Sequence, residues 1–345
     1  MASYKVGVVS SHPNPLCGIS YHTHNLYSYL KLLTDVVLLQ PTNMPLSPNY
    51  HSVHFWSPDK LVNTEVLRAV DLLHVEHEHG LKIPMESIRA ASAGKPIVLT
   101  LHQVLRGANN FLGDYAVVHF PELANNKNLF YIPHGCREMS FRITKERAKQ
   151  LLHMPIDRTA IVMPGRLETR KLIDTLILPR GGDDSYLGLV KDKDFYFVGS
   201  ISDTETVQFE RWVRMLKLRA PPNVHFVVGQ PVPQYILDLY CQAADYLLFD
   251  NMETHYSVSG AAQAAWEFNK VAFSPKGVLL FNELTTANSI KYYNHEHLVD
   301  ALHAIDTFDS TDIQLKLAEE YMTKTFPAVA QQYHSLFSHI VEAWK

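Results

Sequence analysis

With 345 residues, the chain is too long for one ordinary core and divides into two domains of roughly 150–190 residues. Its 46% hydrophobic and 19% charged residues are those of a soluble globular protein, and a net charge of −4 excludes a global basic field for nucleic acid or anionic membrane. Three widely separated cysteines, Cys17, Cys136 and Cys241, give neither a disulfide framework nor a paired-cysteine zinc site, and no apolar run approaches the roughly 18 residues that span a bilayer.

The residues from Met1 run directly into a strand, Val6–Val9, with no charged-then-apolar leader, so a cytoplasmic location is expected. A loop from Ser10 to Ser20 leads into a helix carrying Leu26, Tyr29, Leu30 and Leu33, and Val36–Leu39 is the next strand. The stretch from Gln40 to Pro58 is polar and Pro-rich and reads as irregular; its Tyr50, Phe55 and Trp56 either stack on a ligand or close a core. Leu72–Val75, Ile97–Leu101, Ala116–His119 and Leu129–Ile132 follow as short apolar runs separated by helical or turn segments, the pattern of a parallel sheet covered on both faces.

A charged helix from Thr144 to His153 marks the joint between the two domains. A second strand series then begins, with Ala160–Met163, Phe195–Val198, Val224–Val228, Tyr246–Phe249 and Val271–Phe273. A helix with Phe209, Val213, Leu216 and Leu218 as its apolar residues separates the second and third of these strands. The expected fold class is therefore α/β, with two Rossmann-like doubly wound domains in tandem. In such sheets ligands bind beyond the carboxyl ends of the strands, so a cleft faced by both domains is the place to look for chemistry.

Two loops fall at such strand ends. Gly165-Arg166-Leu167-Glu168-Thr169-Arg170-Lys171 sets an Arg and a Lys beside the start of a helix, where side-chain charge and backbone N–H groups can hold an anion together. Further on, Glu253 to Gly260 precedes the small-residue helix Ala261–Phe268, and Ser257, Val258, Ser259 and Gly260 offer hydroxyl and backbone donors with room for close approach. A plain Ser cap on a packing helix is the competing reading of that second loop. His74, Glu76, His77, Glu78 and His79 look metal-like at first sight, but strand alternation points His74 away from His77 and His79 and the spacing is not that of a helical HExxH; no metal is expected. Gly181-Gly182-Asp183-Asp184 reads as a turn.

On these residues the chain resembles the retaining GT-B-fold glycosyltransferases, in particular the family-4-like group (glycosyl transferases group 1). The resembling stretches occur in the family's order across nearly the whole chain: Leu16–Ser20 with His24-Asn25-Leu26, Asp71–Glu78, Pro96–His102, Tyr131–Gly135, Gly165-Arg166-Leu167 with Lys171 and Asp174, Ala243-Ala244-Asp245, and Phe326–Ala330 with Tyr333. The resemblance implies an acceptor-binding domain over residues 1–140, a nucleotide-sugar donor domain over 156–325, and a C-terminal helix, 326–345, that crosses back to the first domain. It implies a hexosyltransferase that moves a sugar from a nucleoside-diphosphate-sugar, a UDP-sugar being favoured, to a hydroxyl acceptor with retention. Beyond that co-substrate no cofactor is implied.

In that scheme Arg166 and Lys171 stabilise the leaving diphosphate, with Ser257, Val258, Ser259 and Gly260 adding hydrogen bonds. Gly18 and Ile19 close the first loop over the phosphates, and His102 contacts the donor sugar near the reacting carbon. One departure stands out: many relatives carry a pair of glutamates where Tyr256 and Ala264 stand here, the second of them binding the ribose. Glu253 and Glu267 are the remaining candidates for that role.

The implied partners are the nucleotide-sugar and a soluble acceptor, without membrane insertion. A modified DNA base is the minority reading, with Arg106, Lys127, Arg137, Arg142, Lys145 and Arg147 available to phosphates. The same fold would also serve a GT-B isomerase or phosphorylase, or a non-catalytic nucleotide-sugar-binding homologue.

Overall fold

The computed structural model describes residues 4–10, 18–43, 46, 51–57, 60–77, 83–92, 94–104, 113–125, 127–139, 141–168, 171–179, 184–200, 206–229, 232–251 and 256–345. In chain order the first elements are β1 (Lys5–Val9), α1 (Gly18–Leu30), β2 (Asp35–Pro41), β3 (Ser52–Trp56), β4 (Leu72–His77), α2 (Met85–Ala91), β5 (Ile97–Leu101), β6 (Gln103–Val104), β7 (Tyr115–Val118) and β8 (Leu129–Tyr131). Then come α3 (Lys145–Leu151), β9 (Thr159–Pro164), α4 (Ile173–Ile177), α5 (Tyr186–Leu189), β10 (Lys193–Ser200), α6 (Thr206–Arg219), β11 (Val224–Gly229), α7 (Gln234–Ala243) and β12 (Tyr246–Leu248). The series closes with β13 (Tyr256–Ser257), α8 (Ala264–Glu267), β14 (Ala272–Pro275), β15 (Ile290–Tyr292), α9 (His295–Ala304), α10 (Thr311–Lys324) and α11 (Phe326–Trp344). The chain forms two compact units: residues 1–137, 255–260 and 322–345 make the first, and 138–254 with 261–321 the second.

The first unit is built on a seven-stranded sheet in the order β3-β2-β1-β4-β5-β7-β8, every pairing parallel. Strand order reverses between β1 and β4, the switch point of a doubly wound sheet. Successive residues serve opposite faces. Val6, Val8, Leu72, Val98 and Val117 pack with α1 and α11, while Val9, Leu73, Val75, Leu99, Leu101 and Val118 pack with Leu67, Ile83, Met85 and Ile88. Burial on both sides is why these strands read as unbroken apolar runs rather than alternating ones.

The Pro-rich stretch that reads as irregular contains β3 at the sheet edge, where Phe55 and Trp56 are buried in the core. An edge strand of five residues with Ser52 and His54 among its side chains gives too mixed a pattern to be read from sequence. Tyr50 lies outside the described residues. The helix α11 belongs to this unit. Phe326, Val329, Ala330, Tyr333, Phe337, Ile340 and Val341 recur at helical spacing and are all buried against the sheet. Its start is fastened by Cys136 N–H to Lys324 O at 2.8 Å and Phe326 N–H to Cys136 O at 2.9 Å, and its middle by a buried 2.7 Å bond between Tyr333 Oη and Thr100 Oγ1.

The second unit repeats the plan with a six-stranded sheet, β11-β10-β9-β12-β14-β15, again wholly parallel. Strand β15 has only three residues and escapes a reading based on apolar runs. In α6, Val213 and Leu216 reach the core but Leu218 is 80% exposed, because two residues beyond Leu216 is the opposite side of a helix. The expected stripe is thus narrower than read, and the Phe209 side chain lies outside what is described. Residues 181–183 of the expected Gly-Gly turn are likewise outside the described residues. No helix among the described residues is long and apolar enough to cross a membrane.

Candidate active site

In the second unit the chain leaves β9, next to the switch point between β9 and β12, through the loop that carries Arg166 and Lys171. Gly165 makes the turn with φ of +97°, a conformation that side chains rarely adopt. Gly165 N–H donates to Val198 O at 2.9 Å and Leu167 N–H to Ser200 O at 3.0 Å, so the loop stays fastened to β10 as it departs. A Cβ at Gly199 would stand 1.7 Å from Gly165 O; only glycine lets the two backbones lie so close. Lys171 Nζ lies 3.6 Å from where a Cβ on Gly165 would be, which brings the ammonium over the turn.

Arg166 Nη1 donates to Glu168 Oε1 at 3.3 Å, and 37% of its side chain is exposed. Both cations therefore belong to one strand-end loop. The helix α4 that follows has five residues and begins after Leu172, itself at φ 51°, with no side-chain cap.

Ser257, Val258, Ser259 and Gly260 fall elsewhere than the sequence suggests. The expectation joins them to the donor domain because the next helix belongs there. Instead, β13 pairs antiparallel with β6, Tyr256 opposite Val104 and Ser257 opposite Gln103, and Val258 N–H donates to His102 O at 3.2 Å. Backbone pairing thus ties this segment to the first unit and to the histidine itself. The following residue, Ala261, has its Cβ 2.8 Å from the Cβ position of Gly165 in the second unit.

Of the ribose candidates, Glu253 lies outside the described residues. Glu267 is 6% exposed, buried with Ala264 on the packed side of α8. Gly18 opens α1 and has nothing within 4 Å of a Cβ, while the Ile19 side chain is buried.

The first unit holds a second constellation. Parallel register sets Glu76 opposite Thr100 and Leu101 opposite Val118, so the residues just beyond, His102 and His119, emerge at one end of the sheet. Alternation sends His74, Glu76, Thr100, His102 and His119 to the α1 and α11 face, where α1 supplies His22 and the chain after β8 supplies His134. His22, His74, Glu76, His102, His119 and His134 are all buried. The rings of His22, His102, His119 and His134 pack with centroids 4.6–6.0 Å apart.

Glu76 Oε2 meets His102 Nε2 at 2.7 Å, and its Oε1 lies 3.6 Å from His22 Nδ1 and 3.7 Å from His74 Nε2. Burial pushes this carboxyl up, but His22, His74 and the hydrogen bond with His102 outweigh it and hold it well below the ordinary carboxylate range. Burial, with neighbouring imidazoles adding to it, lowers His74 to about 4 and holds His119 and His134 well below the ordinary imidazole range. The carboxylate is thus ionised and these three histidines neutral at pH 7. His77, on the other face of β4, is half-buried and accepts the His102 N–H on its carbonyl at 3.2 Å.

The architecture has close counterparts among solved structures. A glycosyltransferase from Rickettsia africae superposes with a TM-score of 0.75 at 14% identity, covering 99% of both chains. HepE from Anabaena, solved with UDP and glucose, gives 0.71 at 12% identity over 97% of this chain and 100% of that one. The sucrose-phosphate synthase of Thermosynechococcus elongatus gives 0.69 at 16% identity over 99% and 100%. The fold is that of the GT-B glycosyltransferases. No family model matches the sequence, and no curated protein matches it.

Two features of the GT-B chain escaped the sequence reading. Gly199 is a strand-end glycine whose only signal is that it interrupts the β10 apolar run. Glu76 was visible only as part of a local histidine-rich string, because its partners His22 and His102 come from other elements.

Proposed function

We propose that this chain is a retaining glycosyltransferase that moves a hexose from a UDP-sugar to the hydroxyl of a soluble acceptor in the cytoplasm. The reading rests above all on the β9 loop, where Arg166 and Lys171 flank a glycine turn at a sheet switch point. A structure of the same fold, HepE, was solved with UDP and glucose, which favours the uridine donor. Arg166 and Lys171 neutralise the charge that grows on the diphosphate as the bond to the sugar breaks, so no metal ion is required at the phosphates. Ser257, Val258, Ser259 and Gly260 add hydrogen-bond donors, and the backbone at Gly18 and Ile19 does the same from the first loop.

His102, oriented by Glu76, hydrogen-bonds the donor sugar near its anomeric carbon. The acceptor oxygen attacks that carbon on the face the diphosphate leaves, the carbon–oxygen bond to phosphate breaks, and the acceptor proton passes to the departing phosphate oxygen. This route needs no enzyme nucleophile, and it preserves the anomeric configuration.

The decisive experiment is a donor screen by calorimetry and mass spectrometry with UDP, GDP, ADP and their sugars, comparing wild type with Arg166→Ala/Lys171→Ala. Binding of one diphosphate that the double variant loses, with slow hydrolysis of its sugar, is expected. A folded protein that binds none of them overturns the reading. The buried position of Glu267 and the Ala at 264 favour a second reading, a nucleotide-sugar-binding protein without turnover. Its signature is tight binding with neither hydrolysis nor transfer, and an affinity that His102→Ala leaves unchanged.

A further inference from the structure

The histidine cluster of the first unit contains a set of atoms that suits a metal ion. One nitrogen each of His22 and His102 and a carboxylate oxygen of Glu76 all lie within 4.8 Å of one another, and all three residues are buried. The two carboxylate oxygens point different ways, Oε2 to His102 Nε2 at 2.7 Å and Oε1 towards His22 Nδ1 at 3.6 Å. Oε1 is fully buried, and its nearest imidazole nitrogens, His22 Nδ1 at 3.6 Å and His74 Nε2 at 3.7 Å, stand just beyond ordinary hydrogen-bond length. A buried carboxylate oxygen left so is costly, and a cation beside it would remove the cost.

His119 points to the same place. Its Nδ1 lies 2.8 Å from the Ile132 carbonyl, which can only accept, so Nδ1 carries the proton and Nε2 presents its lone pair. That Nε2 is buried and has no hydrogen-bond partner. The ring centroid lies 5.3 Å from that of His102 and 5.6 Å from that of His22. An imidazole whose far nitrogen is tied to a backbone carbonyl is the usual form of a metal-ligating histidine.

We infer that His22, Glu76 and His102 form a binding site for a borderline divalent transition metal, Zn²⁺ above others, with His119 as the fourth ligand or the lining of an open position. Two imidazoles and a carboxylate are a ligand set for Zn²⁺, whereas Mg²⁺ and Ca²⁺ ask for oxygen alone. Zinc bonds of about 2.0–2.2 Å place tetrahedral ligand atoms about 3.3 Å apart, so the Nε2–Oε2 contact opens by about half an ångström on loading. The ion would cross-link α1, β4 and the end of β5. It lies in the interior of one unit and is not the counterion of the diphosphate. With Nε2 on the metal, the His102 proton moves to Nδ1, which leaves the ring a donor for its proposed contact to the sugar.

The alternative occupant of this space is a proton shared between Glu76 and its imidazoles, and the test separates the two. Protein purified without chelator or affinity-tag metal is assayed by elemental analysis, then stripped and titrated with Zn²⁺ and with Co²⁺. Expected are about one equivalent of zinc, and a Co²⁺ adduct with the intense visible absorption of tetrahedral N/O coordination. His22→Ala and Glu76→Gln each weaken Zn²⁺ binding by about 100-fold or more. If those variants fail to fold, imidazole ¹⁵N shifts of the wild type carry the test, since loading must move the ring nitrogens of His22 and His102. A folded wild type that takes up no zinc at micromolar concentration overturns the inference, as does uptake that leaves both the ¹⁵N shifts and the variants' affinity unchanged.

Discussion

Glu76 and His102 lie on neighbouring parallel strands of the first unit and meet at 2.7 Å in a buried hydrogen bond. In the metal-free protein the carboxylate receives Nε2–H and so fixes the ring's orientation and tautomer. Glu76→Gln keeps the shape and removes the charge. We expect kcat to fall about 10- to 100-fold with the donor KM within a few-fold, because the imidazole loses the anionic partner that orients it. A variant that raises KM and leaves kcat intact would show that Glu76 only supports packing.

Gly199 tests the β9 loop without touching a charge. An alanine Cβ there would sit 1.7 Å from Gly165 O, so the backbone carrying Arg166 has to move. Gly199→Ala should cost about 1–3 kcal/mol of stability and reduce UDP affinity at least about 10-fold. Thermal unfolding and calorimetry on the same sample check both numbers; unchanged affinity in a folded variant would remove the loop from the donor site.

Asp245 makes the second unit sensitive to acid. It accepts from Lys145 Nζ at 2.5 Å, Lys149 Nζ at 2.8 Å and Ala160 N–H at 2.9 Å, joining α3 to the first residues of β9. Burial raises its carboxyl, but these three donors outweigh it and leave the folded-state pKa below normal. The stabilisation is therefore present above the unfolded pKa of about 3.9 and is lost as pH falls through the lower folded value. Asp245→Asn should cost about 2–4 kcal/mol at pH 7, with the gap to wild type closing below about pH 4. Urea titrations across that range measure it; a gap that does not depend on pH would contradict the ionic origin.

Phe326 is buried at the start of α11, 5.6 Å from the His22 ring and against Gly135. Phe326→Ala leaves a cavity that neither neighbour can fill and should cost about 3–5 kcal/mol in the first unit alone. Denaturation followed by hydrogen exchange would show β4 and β5 losing protection while β9 and β10 keep theirs; equal losses in both units would refute this division.

How much of this was legible in the sequence depended on how local each feature is. The inner strands, such as Ile97–Leu101 and Phe195–Val198, were readable because burial on both faces makes them continuous apolar runs. β3 and β15 were not, one being a mixed edge strand and the other three residues long. Arg166 and Lys171 belong to one loop and could be read together. The Glu76 cluster could not, since register and alternation across four strands and a helix assemble it. Ser257 shows the opposite error: sequence continuity with α8 suggested the second unit, and pairing with Gln103 decides for the first.

The dependence of the first sheet on α11 also bears on the order of synthesis. Residues up to 137 contain every strand of that sheet, yet the apolar face of Val6, Val8, Leu72 and Val98 is covered by residues 326–341. At about 5–20 residues per second, roughly 10–40 s pass on the ribosome between the last strand of the first unit and the helix that covers it. Meanwhile the second unit has emerged in one nearly continuous stretch and has all its strands. Translation from the N-terminus would thus complete the later-encoded unit first and leave one face of the earlier sheet uncovered until α11 arrives.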